Sequence, residues 1–207
     1  MTNLLISKRL LYVKYIVDFL IAFIVTLTIL PILCIILWPL IKSTPGPLFF
    51  SQIRIGKHGK KFRIYKFRTM SADAEALKCK LSELNEADGP AFKMREDPRI
   101  TKVGKFLRKS NLDEFPQFIN VLLGEMSIIG PRPPVPQEVD QYKFWHNLRL
   151  SFKPGITCLW QVMPNRNKVG FDDWLLSDLE YINTWSLKLD FVISIKTLLV
   201  ILKCNGQ

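Results

Sequence analysis

An uncharged apolar run near the N-terminus constrains the fold of this chain more than any other feature. From Phe19 to Ile41 no charged residue occurs, and the run is long enough to cross the hydrocarbon layer of a membrane as a helix. It exceeds the apolar segment of an ordinary signal peptide, and Lys42, Pro45 and Gly46 follow it instead of a cleavage site of small residues. We therefore expect the segment to stay in the mature protein and to hold it at a membrane.

Two properties of this run predict that it enters the membrane without crossing it. Pro31 lies in the middle, where it removes a backbone donor and favours a kink. Both flanks are basic, and the positive-inside rule assigns both to the cytoplasm; the residues are Lys8, Arg9, Lys14, Lys42, Arg54, Lys57, Lys60 and Lys61. The prediction is a re-entrant helix-break-helix over residues 1–43 and a cytoplasmic domain over residues 44–207. A kinked helix that spans the membrane is the alternative, because membrane helices tolerate proline.

The charge balance predicts an anionic partner. The 207 residues include 29 Lys and Arg against 18 Asp and Glu, so the formal net charge is +11. Nucleic acid, phosphorylated substrates and acidic lipid headgroups all fit such a surplus. The cysteines and histidines are spaced too widely for a zinc knuckle or a redox pair; they are Cys34, Cys79, Cys158, Cys204, His58 and His146.

Two segments after the apolar run have a readable periodicity. In KKFRIYKFRTM, strand alternation puts four side chains on one face, which changes from apolar to cationic along its length: Phe62, Ile64, Lys66 and Arg68. This strand either carries two cations into a pocket or is a solvated edge strand, where lysine is common. Residues 186–203 have apolar side chains at helical spacing with lysines between them. That pattern predicts an amphipathic helix on the membrane surface or, alternatively, a core helix.

The stretch LRKSNLDEFPQFINVLLGEMSIIGPRP contains adjacent carboxylates at the predicted start of a helix. Asp113 and Glu114 would occupy its first turn, with Ser110 or Asn111 as the N-cap. A helix N-terminus favours ionised carboxylates and attracts phosphate. Two carboxylates can also converge on Mg²⁺, which binds diphosphates. The alternative is that Asp and Glu are simply common in first helical turns.

Arginines near the two carboxylates favour the chemical interpretation. Arg108 lies five residues before Asp113. Arg132 is held between Pro131 and Pro133, whose fixed backbone angles would aim a planar guanidinium at a phosphate. Cations beside paired carboxylates suit phosphoryl transfer.

These motifs resemble those of the bacterial monotopic phosphoglycosyl transferases, also called the bacterial sugar transferase family. The resemblance runs from the apolar segment through PGPLFFSQIRIGKHGKKFRIYKFRTM, DPRITKVGKFLRKSNLDEFPQFINVLLGEMSIIGPRP and PGITCLWQV to DLEYINTWSLKLD, so it covers nearly the whole chain. It implies an α+β fold: a re-entrant membrane helix-break-helix, then a small, mainly helical catalytic domain with a short β element and interfacial amphipathic helices. It also implies a place on the cytoplasmic face of the bacterial inner membrane.

Members of this family transfer a sugar 1-phosphate from a UDP-sugar to a polyprenyl phosphate such as undecaprenyl phosphate, and release UMP. This is the first membrane step of surface polysaccharide or glycoconjugate assembly. The resemblance implies that Asp113 is the nucleophile of a covalent aspartyl-phosphosugar intermediate and that Glu114 assists with Mg²⁺. We expect the helix start and Arg108 to keep Asp113 ionised. Six residues match substrate-binding or phosphate-binding positions: Lys66, Arg68, Arg108, Arg132, Arg166 and Asp178.

Two rival functions stay open at this point. A basic binding protein held at the membrane explains the net charge, but it gives no reason for carboxylates among arginines, since carboxylates repel a polyanion such as nucleic acid. An inactive scaffold member is suggested by Cys158 and Asn165, where members commonly have small residues. The sequence determines neither the sugar nor the oligomeric state, and it leaves a homo-oligomer open.

Overall fold

The computed structural model of the protein describes residues 8–74, 76–77, 81, 85, 89–90, 94, 96–163 and 170–202. Within these residues the helices are α1 (Lys8–Lys42), α2 (Lys102–Ser110), α3 (Gln117–Leu122), α4 (Pro136–Val139), α5 (Phe171–Thr184) and α6 (Leu187–Leu202). The strands are β1 (Phe49–Ile55), β2 (Lys61–Phe67), β3 (Ser127–Ile129) and β4 (Gly155–Thr157). Short 3₁₀ helices cover Lys57–Gly59, Leu112–Glu114, Phe144–Ser151 and Trp160–Val162. The predicted mixture of a long apolar helix, further helices and a short β element is confirmed.

The apolar run lies in α1, a helix of 35 residues. The helix continues through Pro31 and Pro39 as one element, whereas the sequence predicted a helix-break-helix. Proline removes one backbone hydrogen bond and clashes with the preceding turn, but an apolar helix tolerates this when its surroundings compensate. Among the described helices, α1 alone is long and apolar enough to cross a membrane. The re-entrant path stays a prediction.

Both halves of α1 pack against the rest of the chain. Near its N-terminus, Lys14 is buried and its Nζ lies 2.8 Å from Oδ2 of Asp190 in α6. Its middle joins an apolar cluster made of Ala22, Phe62, Ile64, Val121 and Met126. Its C-terminal half joins another, made of Leu30, Leu37, Ile41, Leu48, Phe67 and Leu107. The remaining surface exposes large apolar side chains from Leu10 to Leu40, which water solvates poorly.

The hairpin of β1 and β2 places charged side chains beside the core. The strands pair antiparallel, with Phe50 opposite Lys66 and Arg54 opposite Phe62. Directly opposite residues share a face of the sheet, so Arg54 lies on the same face as Lys66. Phe62 and Ile64 on that face are buried, as the alternation predicted.

The parallel pair of β3 and β4 fixes the Pro131–Pro133 segment. The strands approach so closely that a Cβ on Gly155 would lie 2.1 Å from the Gly130 nitrogen. The Gly155 amide donates to the Pro131 carbonyl over 2.9 Å. The backbone on both sides of Arg132 is therefore held in place by the sheet.

The C-terminal segment forms α6, a helix with a largely exposed apolar stripe. Ile193 is fully buried on its inner face. The predicted stripe residues are instead exposed: Leu187, Phe191, Ile195, Leu198 and Leu202. This exposure favours the membrane-surface interpretation of the segment over the core helix.

Candidate active site

The adjacent carboxylates lie in a 3₁₀ turn between two helices. α2 ends at Ser110, Asn111 adopts the left-handed conformation with φ 54°, and Leu112–Glu114 form the turn. The two carboxylates occupy the first turn of this 3₁₀ helix, with Asn111 at its N-cap, as predicted, but the turn is separate from α3, which begins only at Gln117. Asn111 ends α2 and donates its backbone N–H to the Arg108 carbonyl. Asparagine is among the few residues that tolerate this conformation, so it redirects the chain here.

Asp113 is buried, with 7% of its surface exposed. Burial raises its pKa to about 6, and the neighbouring Glu114 carboxylate adds to the rise. The charges of Lys66 and Arg108 lower the pKa but do not cancel the effect of burial. Arg108 thus favours the ionised form, as expected, but the loss of solvation outweighs the nearby cations. Neutral pH lies about one unit above this pKa, so the Asp113 carboxyl is still ionised in most molecules.

Lys66 reaches the second carboxylate from the end of β2. Its Nζ lies 2.5 Å from Oε1 of Glu114, and the two side chains are 26% and 23% exposed. The structure therefore brings the predicted cation of the KFRTM strand to the carboxylates.

Arg108 approaches from the last turn of α2. Its Nε donates to Oγ1 of Thr69 over 3.0 Å. Burial lowers the pKa of Arg108, while the carboxylates of Asp113 and Asp97 raise it. This arginine accordingly offsets part of the cost of ionising Asp113.

An open cleft with about 320 Å³ of empty space lies next to Glu114. Its walls are Arg54, Ile64, Lys66, Glu114, Gln117, Arg132, Pro133, Gly155, Ile156 and Gln161. The Arg132 guanidinium stacks over the ring of Trp174, with its Cζ 5.0 Å from the ring centroid. Three cationic side chains against one carboxylate make this cleft suitable for a phosphorylated ligand.

Asp178 does not line the cleft but contacts the segment that holds a cleft residue. It is fully buried and forms an ion pair with Nη2 of Arg149, which is itself buried. The same Nη2 donates to the Arg132 carbonyl over 2.7 Å. Burial raises the pKa of Asp178 to about 6, against the lowering effect of Arg149 and Arg132. Its contacts thus hold the Arg132 segment, whereas the sequence predicted contact with substrate.

Arg68 caps a helix. Its Nη2 donates to the carbonyls of Ile41 and Thr44, each over 2.8 Å, and its Nη1 donates to that of Pro45. These carbonyls lie at the C-terminal end of α1, where a cation is favoured. The predicted phosphate-binding role therefore has no support from its contacts, which use the guanidinium for the backbone. Arg166 lies outside the described residues.

Arg54 is a cleft residue that the sequence analysis did not assign to the site. Its Nη1 donates to the Pro133 carbonyl over 3.0 Å, and its Nη2 donates to Oε1 of Gln52 over 2.8 Å. The pattern that could have identified Arg54 is its position on the same sheet face as Lys66. Recognising that position requires the pairing register of β1 and β2, which the sequence of either strand alone does not give.

The donors that this site offers to a metal ion are Asp113 and Glu114. Among the residues described, no group of three or more His, Cys, Asp or Glu side chains could hold a metal. Two adjacent carboxylates nevertheless fit Mg²⁺, which commonly takes its other ligands from substrate phosphates and water.

Known proteins with similar sequences are sugar transferases. The bacterial sugar transferase family matches residues 9–204. The galactosyl transferase CpsE of Streptococcus agalactiae is 48% identical over 183 residues, which are 88% of this chain and 41% of that protein. The undecaprenyl-phosphate galactose phosphotransferase of Salmonella typhimurium is 42% identical over 181 residues, which are 84% of this chain and 37% of that protein. The exopolysaccharide production protein ExoY of Sinorhizobium fredii is 36% identical over 197 residues, which are 92% of this chain and 85% of that protein.

The fold and the site together define a protein that combines a long apolar helix with a cationic cleft and a buried carboxylate. The chain belongs to the bacterial sugar transferase family. It spans about two fifths of the length of CpsE and of the Salmonella relative, and most of the length of ExoY. The resemblance read from the sequence motifs is therefore confirmed.

Proposed function

We propose that the chain transfers a sugar 1-phosphate from a UDP-sugar to a polyprenyl phosphate, giving a polyprenyl-diphospho-sugar and UMP. The observation that carries the proposal is the buried carboxyl of Asp113, which has Lys66, Arg108 and Glu114 as its charged neighbours. The names of relatives support the substrate class. A protein of Escherichia coli, 40% identical over 183 residues, is a UDP-glucose:undecaprenyl-phosphate glucose-1-phosphate transferase.

The buried carboxylate suits a two-step transfer. In the first step, an oxygen of Asp113 forms a bond to the phosphorus that carries the sugar, and the phosphoanhydride bond to UMP breaks. UMP leaves with the electron pair of that bond. In the second step, an oxygen of the polyprenyl phosphate attacks the same phosphorus, and the bond to Asp113 breaks, which restores the carboxylate. The two steps replace one direct transfer between the two anionic substrates, and Lys66 and Arg108 offset the negative charge of the reacting groups.

Asp113 and Glu114 are the residues that would hold Mg²⁺ in this site. The ion supplies positive charge that neutralises the diphosphate and its leaving group. Lys66 fixes Glu114 through their ion pair, so the carboxylate keeps its place at the cleft wall.

The packing of α1 supports entry into the membrane from the cytoplasmic face without crossing. Lys14 near its start and Ile41 near its end both contact the part of the chain that contains the cleft. The buried residues of α1 occur along its whole length, so the helix packs against the chain beside the same stretch that exposes apolar side chains. A helix that crosses a membrane needs about 20 residues in the hydrocarbon. The re-entrant path therefore agrees better with these contacts than a spanning helix does.

The decisive experiment is turnover by the purified full chain in detergent. With undecaprenyl phosphate, Mg²⁺ and either UDP-glucose or UDP-galactose, we expect release of UMP and formation of a lipid-linked sugar phosphate. Asp113→Asn should lower the rate by about 10³-fold or more, because it removes the nucleophile. Asp140→Asn, which changes an exposed carboxylate, is the matched control and should retain the wild-type rate.

The same experiment separates the rival functions. Mass spectrometry of the wild-type chain treated with donor alone should find a phosphosugar on the peptide that contains Asp113. Full activity in Asp113→Asn would rule out the covalent route. A wild-type chain that binds lipid vesicles but releases no UMP with any UDP-sugar would support a binding protein or an inactive scaffold instead.

A further inference from the structure

Arg54 is a partly buried cation in the wall of the cleft. Its terminal nitrogens donate to the Pro133 carbonyl and to the Gln52 amide oxygen. Its Nε is buried and makes no hydrogen bond. Over the described part of the chain, its guanidinium forms no ion pair within 4.0 Å. A cation removed from water and left without an anion is unfavourable, so this position indicates a missing anionic partner.

A second guanidinium, that of Arg132, lines the same cleft, and its ion pair with Glu138 is long. Burial lowers the pKa of Arg54 to about 10, and the charge of Arg132 contributes to the decrease. Nη1 of Arg132 is also buried without a hydrogen bond, and it stays 3.9 Å from Oε1 of Glu138. Two adjacent guanidinium groups with unused N–H donors fit one anion that offers several oxygens, such as a phosphate group.

The two arginines lie at a different part of the site from the reactive carboxyl. Arg54 and Arg132 line the open cleft, whereas Asp113 is buried and is not part of the cleft wall. Glu114, the next residue in the chain, does line the cleft, so the reactive carboxyl lies next to it. A diphosphate has two phosphates to place, and this arrangement offers a separate cationic group for each.

We propose that Arg54, together with Arg132, binds the phosphate that leaves with the nucleotide. The phosphate that carries the sugar then lies against Asp113. This assignment rests on the proposed function, because it concerns the second phosphate of the same donor. Arg54 thereby contacts the leaving group and neutralises the charge that it gains as the phosphoanhydride bond breaks.

The test is binding of UMP and of uridine to the full chain in detergent, measured by calorimetry and by competition. Arg54→Gln is expected to weaken UMP binding by about tenfold or more and to leave the weaker uridine binding unchanged. Arg54→Lys should fall between wild type and Arg54→Gln, since lysine keeps the charge but lacks the planar fork. Arg63→Gln is the matched control, because Arg63 is exposed on the neighbouring strand β2, and it should bind UMP like wild type.

Two results would overturn the assignment. One is wild-type UMP affinity in Arg54→Gln. The other is an equal loss of UMP and uridine binding, which would mean that Arg54 only supports the backbone at Pro133. If Arg54→Gln does not fold, Arg54→Lys decides, and wild-type UMP affinity in that variant counts against the proposal. A wild-type chain that binds UMP through Arg54 but forms no lipid-linked product would instead contradict the proposed transfer reaction.

Discussion

Asp113 combines a buried position with chemistry that needs its charge. Its pKa of about 6 in the folded chain lies above the ordinary value of 3.8. Folding therefore favours the protonated carboxyl of Asp113. The protonated carboxyl contributes fully to the free energy of unfolding below pH 3.8, and this contribution is lost as the pH rises through 6. At neutral pH the ionised group consequently destabilises the fold in which it acts.

From this follows a prediction about stability at the residue scale. Without Mg²⁺ and at pH 7.5, Asp113→Asn should raise the free energy of unfolding, because it removes the buried charge. The pKa difference of about two pH units corresponds to an upper bound of about 3 kcal/mol. Urea unfolding between pH 5 and 8 measures the difference in free energy of unfolding between the variant and the wild type. This difference should become smaller toward pH 5. The control variant Asp140→Asn should have the wild-type free energy of unfolding throughout. A variant less stable than wild type at pH 7.5 would contradict the effect of burial.

Much of the candidate site could be predicted from single residues, and the rest depended on contacts across the fold. Lys66, Arg108 and Arg132 were expected near the carboxylates from the motifs that contain them, and the structure places each of them near Asp113 or Glu114. Arg68 belongs to the same basic strand, but it lies past the strand end, where the carbonyls of α1 take its donors. The burial of Asp178 depends on Arg149, whose partner no local pattern identifies.

At the scale of elements, the structure explains why the strand β2 could be predicted from the sequence and the start of the helix α3 could not. The alternation of β2 was readable because one face is buried. The turn before α3 was predictable only in part: Asn111 does precede a helical turn, as predicted, but its left-handed backbone also ends α2. Both roles suit asparagine, and the sequence gives no sign that one residue has both.

The contact between β2 and the end of α1 carries a prediction at this scale. Arg68→Met should lower the free energy of unfolding by about 3 kcal/mol, because it removes the guanidinium donors from the Thr44 and Pro45 carbonyls that follow α1. It should leave UMP affinity unchanged in folded protein, as expected of a helix cap. Thermal unfolding and calorimetry check the two effects, with Arg63→Met on the exposed face of β2 as the control. If Arg68→Met lost UMP binding while its free energy of unfolding stayed unchanged, Arg68 would be a phosphate-binding residue, as the sequence predicted.

At the scale of the whole molecule, the path of α1 decides which face of the membrane holds each end of the chain. In a background without native cysteines, Arg9→Cys and Lys60→Cys place one thiol before and one after the apolar run, both at exposed positions. A re-entrant helix predicts that a membrane-impermeant maleimide labels both only in inverted vesicles. Labelling of Arg9→Cys in intact cells, with Lys60→Cys protected, would show that α1 crosses the membrane.

The ion pair between Lys14 and Asp190 joins α1 to α6 across 176 positions of sequence. During synthesis α1 leaves the ribosome long before Asp190 exists, so Lys14 first meets lipid headgroups. Asp190 also accepts hydrogen bonds from Tyr181 and Trp185, so its arrival satisfies three donors at once. A chain released before this point keeps its first helix and the longer, 3.5 Å ion pair of Lys14 with Asp18, but it lacks the carboxylate that joins α1 to α6. Such a truncated product differs from the finished protein in a way that quality-control proteases can detect.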